Sequence, residues 1–242
     1  FFKGRSTLLA AIGSAFVVLA IAVAVNRAWL PLQWDLPIQR FVEDHRTAAL
    51  DSLFLAISRL GSTVVVLAVS VLLIFLTWRR CRAVSIAILV AATARPLLEF
   101  VLKDVVGRAR PNFERLVDGQ GYSFPSGHVM AAIALYGLLP VVVGLFTRSR
   151  ALWWASVGVS GIVIGAVAAS RVYLGVHWFS DVVGSLLLGS FFLLGVEAVL
   201  QYAHRSSVSG RGWDPACRSG LQAEASGTTR RPGRARPVSL RA

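Results

Sequence analysis

"GYSFPSGHVMAAIALYGLLPVVVGLF", residues 121–146, decides the fold. From residue 128 onward it stays apolar for roughly the 17–25 residues that a helix needs to cross a bilayer core. A Pro-Ser-Gly turn and one histidine, His128, stand at its mouth. Five further stretches qualify as spans: residues 7–25, 60–78, 83–102, 151–169 and 181–201. The chain is therefore expected to be all-α, an integral membrane bundle of six transmembrane helices. Residues 41–58, "FVEDHRTAALDSLFLAIS", mix charge with apolar spacing and read as a short interfacial amphipathic helix.

Composition agrees with a membrane class. Apolar residues make up 55% of the chain and charged ones 15%, against about 25% charged in ordinary soluble domains. In a soluble chain the net charge of +13 would point to nucleic acid. Here the charge is distributed by loop, so no nucleic-acid partner is expected. Cys81 and Cys217 lie far apart and outside any CxxC spacing, which predicts neither a disulfide framework nor a zinc site. Lys3 and Arg5 precede the first apolar run without a small-residue cleavage site, so that run reads as a retained span.

Lysine and arginine set the orientation. With the N-terminus inside, the inner pieces are residues 1–6, "WRRCR" at 78–82, "TRSR" at 147–150 and the chain from 203; they hold 15 of the 25 basic residues. The opposite loops mix both signs. Both termini are thus expected in the cytoplasm, in a multi-pass protein of the cell membrane. Trp29, Trp34 and Trp178 fall near the outer boundary, and Trp78, Trp153 and Trp154 near the inner one. Residues 1–202 form the membrane domain, and 203–242, rich in Arg, Gly, Ser and Pro, read as a disordered basic tail. Gly161 with Gly165, and Ser185 with Gly189, have the small-xxx-small spacing of close helix packing.

Three polar clusters fall on the expected outer side, each at the end of a span. They are "KDVVGRARP" at 103–111, "PSGH" at 125–128 and "SRVYLGVHWFSD" at 170–181. Lys103, Arg110 and Arg171 are cations suited to a phosphoryl group, arginine offering bidentate contacts. Ser126 and Gly127 sit at a helix start, where free N–H groups attract anions. His177 and Asp181 are four apart, which would stack them on one helical face and make the far ring nitrogen a better nucleophile. Arg95 and Glu99 read as an internal ion pair, and Glu99, one turn before Lys103, is placed to position it. Arg108 reads as added charge for the phosphate, as a headgroup contact or as a solvent-exposed residue. His45 and His204 read as solvated.

The pattern K-x6-RP, PSGH, SR-x5-H-x3-D resembles that of the type 2 phosphatidic acid phosphatase family, membrane lipid phosphatases that share a site with vanadium haloperoxidases. Lys103, Arg110 and Pro111, then Pro125 to His128, then Ser170, Arg171, His177 and Asp181 match it in order. The resemblance implies that His177 attacks phosphorus to form a phosphohistidine, with Asp181 orienting it. It implies that His128 protonates the leaving oxygen and then activates water. Lys103, Arg110, Arg171, Ser126 and the Gly127 backbone would hold the phosphoryl oxygens, with no metal and no cofactor.

The expected activity is hydrolysis of a lipid phosphate or diphosphate at the extracytoplasmic face, with a polyprenyl (undecaprenyl or decaprenyl) diphosphate as the leading substrate. Phosphatidylglycerophosphate and phosphatidic acid are the alternatives, followed by transfer of the phosphoryl group to another hydroxyl. A non-catalytic membrane protein that binds anionic lipids has no need of His177, His128 and Asp181 together.

Overall fold

The computed structural model describes residues 32–147 and 149–208, and every described element is helical. The elements are α1 (Leu32–Asp44), α2 (Ala48–Arg59), α3 (Thr63–Trp78), α4 (Arg82–Val106), α5 (Gly127–Tyr136), α6 (Leu139–Phe146), α7 (Arg150–Tyr173) and α8 (Phe179–Val208).

Four segments are long and apolar enough to cross a membrane: Arg82–Val106, Gly127–Phe146, Arg150–Tyr173 and Phe179–Val196. They coincide with four of the expected spans. The pair α2 and α3, bent by 43°, makes a fifth only if both helices are counted as one span. Of the five expected spans that fall within the described residues, four are thus present, and the one at 60–78 only if the bent pair is counted as one; the expected span at 7–25 lies outside them. The reason for the shortfall at 60–78 is local. Ser62 caps α3, its hydroxyl accepting from Val65 N at 3.4 Å, so the helix that starts there has only 16 residues.

The amphipathic segment also differs from expectation. It begins earlier and is broken between α1 and α2, where Thr47 caps the second helix. In α1 the polar Asp35 and Gln39 are buried while Trp34, Leu36 and Phe41 are exposed. This inversion of a soluble pattern is what a helix facing lipid requires, since there the protein interior is the polar side. At the other end α8 runs to Val208, which places His204 in a helix rather than in a tail. Residues 209–242 lie outside the described residues.

Helix α5 is the centre of the bundle, packing against α3, α4, α7 and α8. Its residues Val129 to Leu135 are all buried. One core cluster joins Val66, Ile88, Ala91 and Leu135. A second joins Val129, Ile133, Ala168, Val172 and Val182. In lipid such packing gains dispersion more than solvent release, so small residues at close approaches matter. Gly189 meets this need, because a Cβ there would lie 2.7 Å from Ile133 Cδ1. At Gly161 and Gly165 no described residue stands within 4 Å of a Cβ. Cys81, at the start of α4, is buried.

The elbow between α2 and α3 presses on the mouth of α5. A Cβ on Gly61 would come within 2.8 Å of Val167 Cγ1 and 2.9 Å of the His128 carbonyl oxygen. Backbone cannot yield as a flexible side chain can. Gly61→Ala is therefore expected to destabilise the bundle by roughly 1–3 kcal/mol, the usual cost of overpacking. The measurement is the thermal unfolding midpoint in detergent, and an unchanged midpoint would show that the elbow has room.

Candidate active site

The ends of α4, α5, α7 and α8 meet with the loops between them. Lys103 occupies the last turn of α4, which stops at Gly107 in the left-handed region (φ 60°), its N–H bonded to the Lys103 carbonyl at 2.9 Å. Residues 95, 99 and 103 stack one turn apart and alternate in sign. Glu99 Oε2 pairs with Arg95 Nη1 at 2.8 Å and Glu99 Oε1 with Lys103 Nζ at 2.8 Å. Glu99 thus serves both readings of it at once. Arg95 Nη1 also donates to the Gly127 carbonyl at 3.2 Å, tying α4 to the PSGH turn. A Cβ on Gly127 would lie 2.2 Å from Glu99 Oε1, so this position has no room for a side chain while that carboxylate stays put.

Arg110 is clamped from three sides. It donates from Nε to Gly121 O at 3.0 Å, from Nη2 to Gln120 O at 2.7 Å and from Nη1 to Val176 O at 2.7 Å. The same Nη1 lies 3.4 Å from His177 Nε2. Burial lowers the Arg110 pKa from its ordinary value, and Arg115 adds to the effect, while Asp181 and Glu99 oppose it. A guanidinium starts so far above neutrality that it stays charged.

Ser126 precedes α5 and is wholly buried. Its N–H donates to Ser185 Oγ at 2.7 Å, but its own hydroxyl caps nothing and has no partner among the described residues. His128, in the first turn of α5, is half-buried. Arg171, in the last turn of α7, donates from Nη1 to the Ser58 hydroxyl, and its Nε is buried without a partner among the described residues. A buried donor left unmade is costly, so these groups mark places where a ligand's acceptors would be stabilised.

His177 does not share a helical face with Asp181, as the spacing suggested. It lies in the loop ahead of α8, which begins at Phe179. The start is set by Asp181 itself, whose Oδ2 accepts from Trp178 N at 3.0 Å, the backward half of a capping box. His177 Nδ1 stands 3.8 Å from Asp181 Oδ2, beyond hydrogen-bond reach, and has no other partner among the described residues. His177 is 3% exposed. Burial lowers its pKa to about 4; Asp181 pulls the other way, and the Arg110 and Arg171 charges reinforce the drop. The imidazole is neutral at pH 7, as a nitrogen nucleophile must be.

That shift has a consequence for stability. The unfolded chain takes up a proton on this histidine near its ordinary 6.5, whereas the folded protein does so only near 4. The favourable contribution is complete above 6.5 and is lost as pH falls from 6.5 towards 4, by about 1.4 kcal/mol per pH unit. The unfolding midpoint is expected to fall less steeply over that window in His177→Gln than in the wild type. Parallel profiles would contradict the assignment.

Several partners have no mark in the motif. Asp181 also accepts from the Ser123 hydroxyl and from Arg108 Nη1. Arg108 therefore faces the carboxylate rather than the open site, and its Nη2 donates to Asp35 Oδ2 at 2.6 Å. Ser185 passes from Ser126 to the chain of α8, donating to the Asp181 carbonyl at 2.7 Å. Trp178 is pinned by Nε1 to Ala109 O at 3.0 Å, with Phe113 set edge-on to it at 6.3 Å.

A multi-pass membrane protein with cations, two histidines and an unpartnered serine gathered at one end of its helices has the layout of a membrane phosphoryl site. The PAP2 superfamily model matches residues 84–205. Undecaprenyl-diphosphatase from Sulfolobus acidocaldarius is 30% identical over 183 residues, 73% of this chain and 83% of that one. Phosphatidylglycerophosphatase B from Bacillus subtilis is 38% identical over 113 residues, 44% of this chain and only 54% of that relative's length. The chain belongs to the PAP2 superfamily.

Among solved structures, the PAP2-type phosphatidylglycerolphosphate phosphatase from Bacillus subtilis superposes with a TM-score of 0.68 at 28% identity, covering 79% of this chain and 96% of that one. LpxE from Aquifex aeolicus shares the fold at a TM-score of 0.52 and 24% identity, over 68% of this chain and 94% of that one.

Proposed function

We propose that this protein is a membrane phosphatase that hydrolyses a lipid phosphate or diphosphate through a phosphohistidine at His177. One observation carries the reading: a neutral, buried imidazole has its Nε2 3.4 Å from the Arg110 guanidinium, which places a nucleophile beside a fixed cation.

Nε2 attacks phosphorus in line. The N–P bond forms as the bond from phosphorus to the leaving oxygen breaks, and His128 gives its proton to that oxygen. Lys103, Arg110, Arg171, the Ser126 hydroxyl and the Gly127 backbone stabilise the charge on the equatorial oxygens. His128, now neutral, takes a proton from water; the water oxygen attacks, the N–P bond breaks, and inorganic phosphate leaves. Asp181 stabilises the positive charge that the His177 ring acquires. Fixed cations supply the electrostatics that magnesium supplies in other phosphoryl transfers.

The leading substrate is a polyprenyl diphosphate, the class named for the archaeal relative. Phosphatidylglycerophosphate, from the name of the Bacillus relative, and phosphatidic acid are the alternatives. The loop distribution of Lys and Arg supports a site on the extracytoplasmic face with both termini inside.

The test is phosphate release by purified protein with EDTA present, from undecaprenyl diphosphate, phosphatidylglycerophosphate, phosphatidic acid and a water-soluble sugar phosphate. The lipids are expected to exceed the sugar phosphate in kcat/KM by about tenfold or more, since remote binding energy is used at the reacting centre. Undecaprenyl diphosphate is expected to lead. Loss of activity in EDTA, or equal use of the sugar phosphate, would overturn the reading.

A further inference from the structure

Asp35 is a carboxylate with 1% exposure on the inner face of α1. Burying such a group is costly unless it is paired and hydrogen-bonded. Its partners all lead to the nucleophile. Oδ1 accepts from Ser180 N at 2.8 Å. Oδ2 accepts from the Ser180 hydroxyl at 2.6 Å and from Arg108 Nη2 at 2.6 Å. Arg108 then donates its other terminal nitrogen to Asp181 Oδ1 and, at 2.9 Å, to Ser180 Oγ.

We propose that Asp35, acting through Arg108, is a positioning residue for Asp181 and hence for the His177 nucleophile. The inference rests on the reading of His177 as nucleophile given above. A guanidinium is a rigid plane, so holding one terminal nitrogen on Asp35 fixes where the other meets Asp181. The second Asp181 oxygen, already taken by Ser123 and Trp178 N, faces His177 Nδ1 across 3.8 Å. A displacement of under about 1 Å converts that gap into a hydrogen bond. Asp35 and Arg108 therefore decide whether the carboxylate can engage the ring.

Charge adds to geometry. One guanidinium lies between two carboxylates, so Asp35 takes up part of the Arg108 charge and Asp181 keeps its capacity to stabilise a positive phosphoimidazole. Asp35 is too buried to touch substrate. Its whole effect passes through its neighbours.

The test uses the full chain in lipid nanodiscs with undecaprenyl diphosphate, or whichever lipid the substrate panel selects. The readouts are KM and the single-turnover rate constant at saturating enzyme excess. That constant does not depend on the fraction of protein that is active, so a purely structural defect leaves it unmoved. Asp35→Asn is expected to lower it roughly tenfold to a hundredfold, as loss of an outer-shell partner does elsewhere, with KM within about threefold of wild type because substrate contacts are retained. Arg108→Lys, which cannot bridge two carboxylates in one plane, is expected to lower it similarly but less than Arg108→Gln. The pair Asp35→Asn with Arg108→Lys should cost less than the product of the single losses.

A wild-type rate constant in Asp35→Asn, beside an inactive His177→Ala, overturns the positioning role and leaves the nucleophile standing. Turnover in His177→Ala removes the nucleophile reading, and that result is separate. Should Asp35→Asn not accumulate as folded protein, Asp35→Glu carries the test. It keeps the charge but displaces it by one methylene; a reduced rate constant is expected, and an unchanged one overturns the proposal.

Discussion

Alanine at His177 is expected to abolish phosphate release, a loss of about 10⁴–10⁶ in kcat, the scale seen when a covalent nucleophile is removed. No neighbour can replace it. His128, in the first turn of α5, is assigned the acid–base steps, and the cations Arg110 and Arg171 cannot be deprotonated to attack. The folded structure should survive, because Nδ1 of His177 has no partner among the described residues and Nε2 loses only its 3.4 Å contact with Arg110. Phosphate release by the purified variant, beside its unfolding midpoint, checks both halves of the statement. Turnover within tenfold of wild type would remove the covalent mechanism.

The second large effect concerns His128. His128→Ala is expected to lose about 10²–10⁴ in turnover of a lipid substrate, the range for a positioned acid–base group. The loss should depend on the leaving group. A lipid alcohol or lipid phosphate needs a proton as it departs, whereas p-nitrophenolate leaves without one. With p-nitrophenyl phosphate the first step is therefore expected to stay near wild type, seen as a burst of nitrophenolate. The second step, in which His128 activates water, stays slow, so phosphoenzyme accumulates. Stopped-flow absorbance reads both phases. Equal losses for the two substrates, with no burst, would assign His128 a binding role only.

Much of this site was legible because the chemistry is concentrated at span ends. Four spans, from residue 83 onward, could be bounded by apolar length alone, since few charged residues interrupt them: Glu197 in the last and, in the first, Arg95 and Glu99. Those two neutralise one another within a turn. The span at 60–78 was half legible. Apolar content continues through Gly61 and Ser62, but the cap at Ser62 and the need for a bare Cα against His128 divide the helix there.

Partners that come from far along the chain left no trace in local spacing. Asp35 meets Ser180 across 145 residues, and Ser123 meets Asp181 across 58. In sequence, Asp35 was one acidic residue among several on the mixed-charge side. Spacing also misled once. The interval between His177 and Asp181 suggested a shared helix, yet the capping contact starts α8 after the histidine. Gly161 and Gly165 have the packing interval, with no described residue within 4 Å of a Cβ at either. Spacing fixes which residues share a face, and only the neighbouring helices decide what that face meets.

The covalent role of His177 is tested most directly by rapid quench. Wild-type protein is mixed with substrate carrying a radiolabelled terminal phosphate, denatured within milliseconds, digested and mapped. The expected result is one labelled peptide containing residue 177, its phosphate stable in alkali and released by mild acid as a phosphoramidate should be. Full turnover with no labelled peptide at any quench time, or a label on another residue, would contradict it.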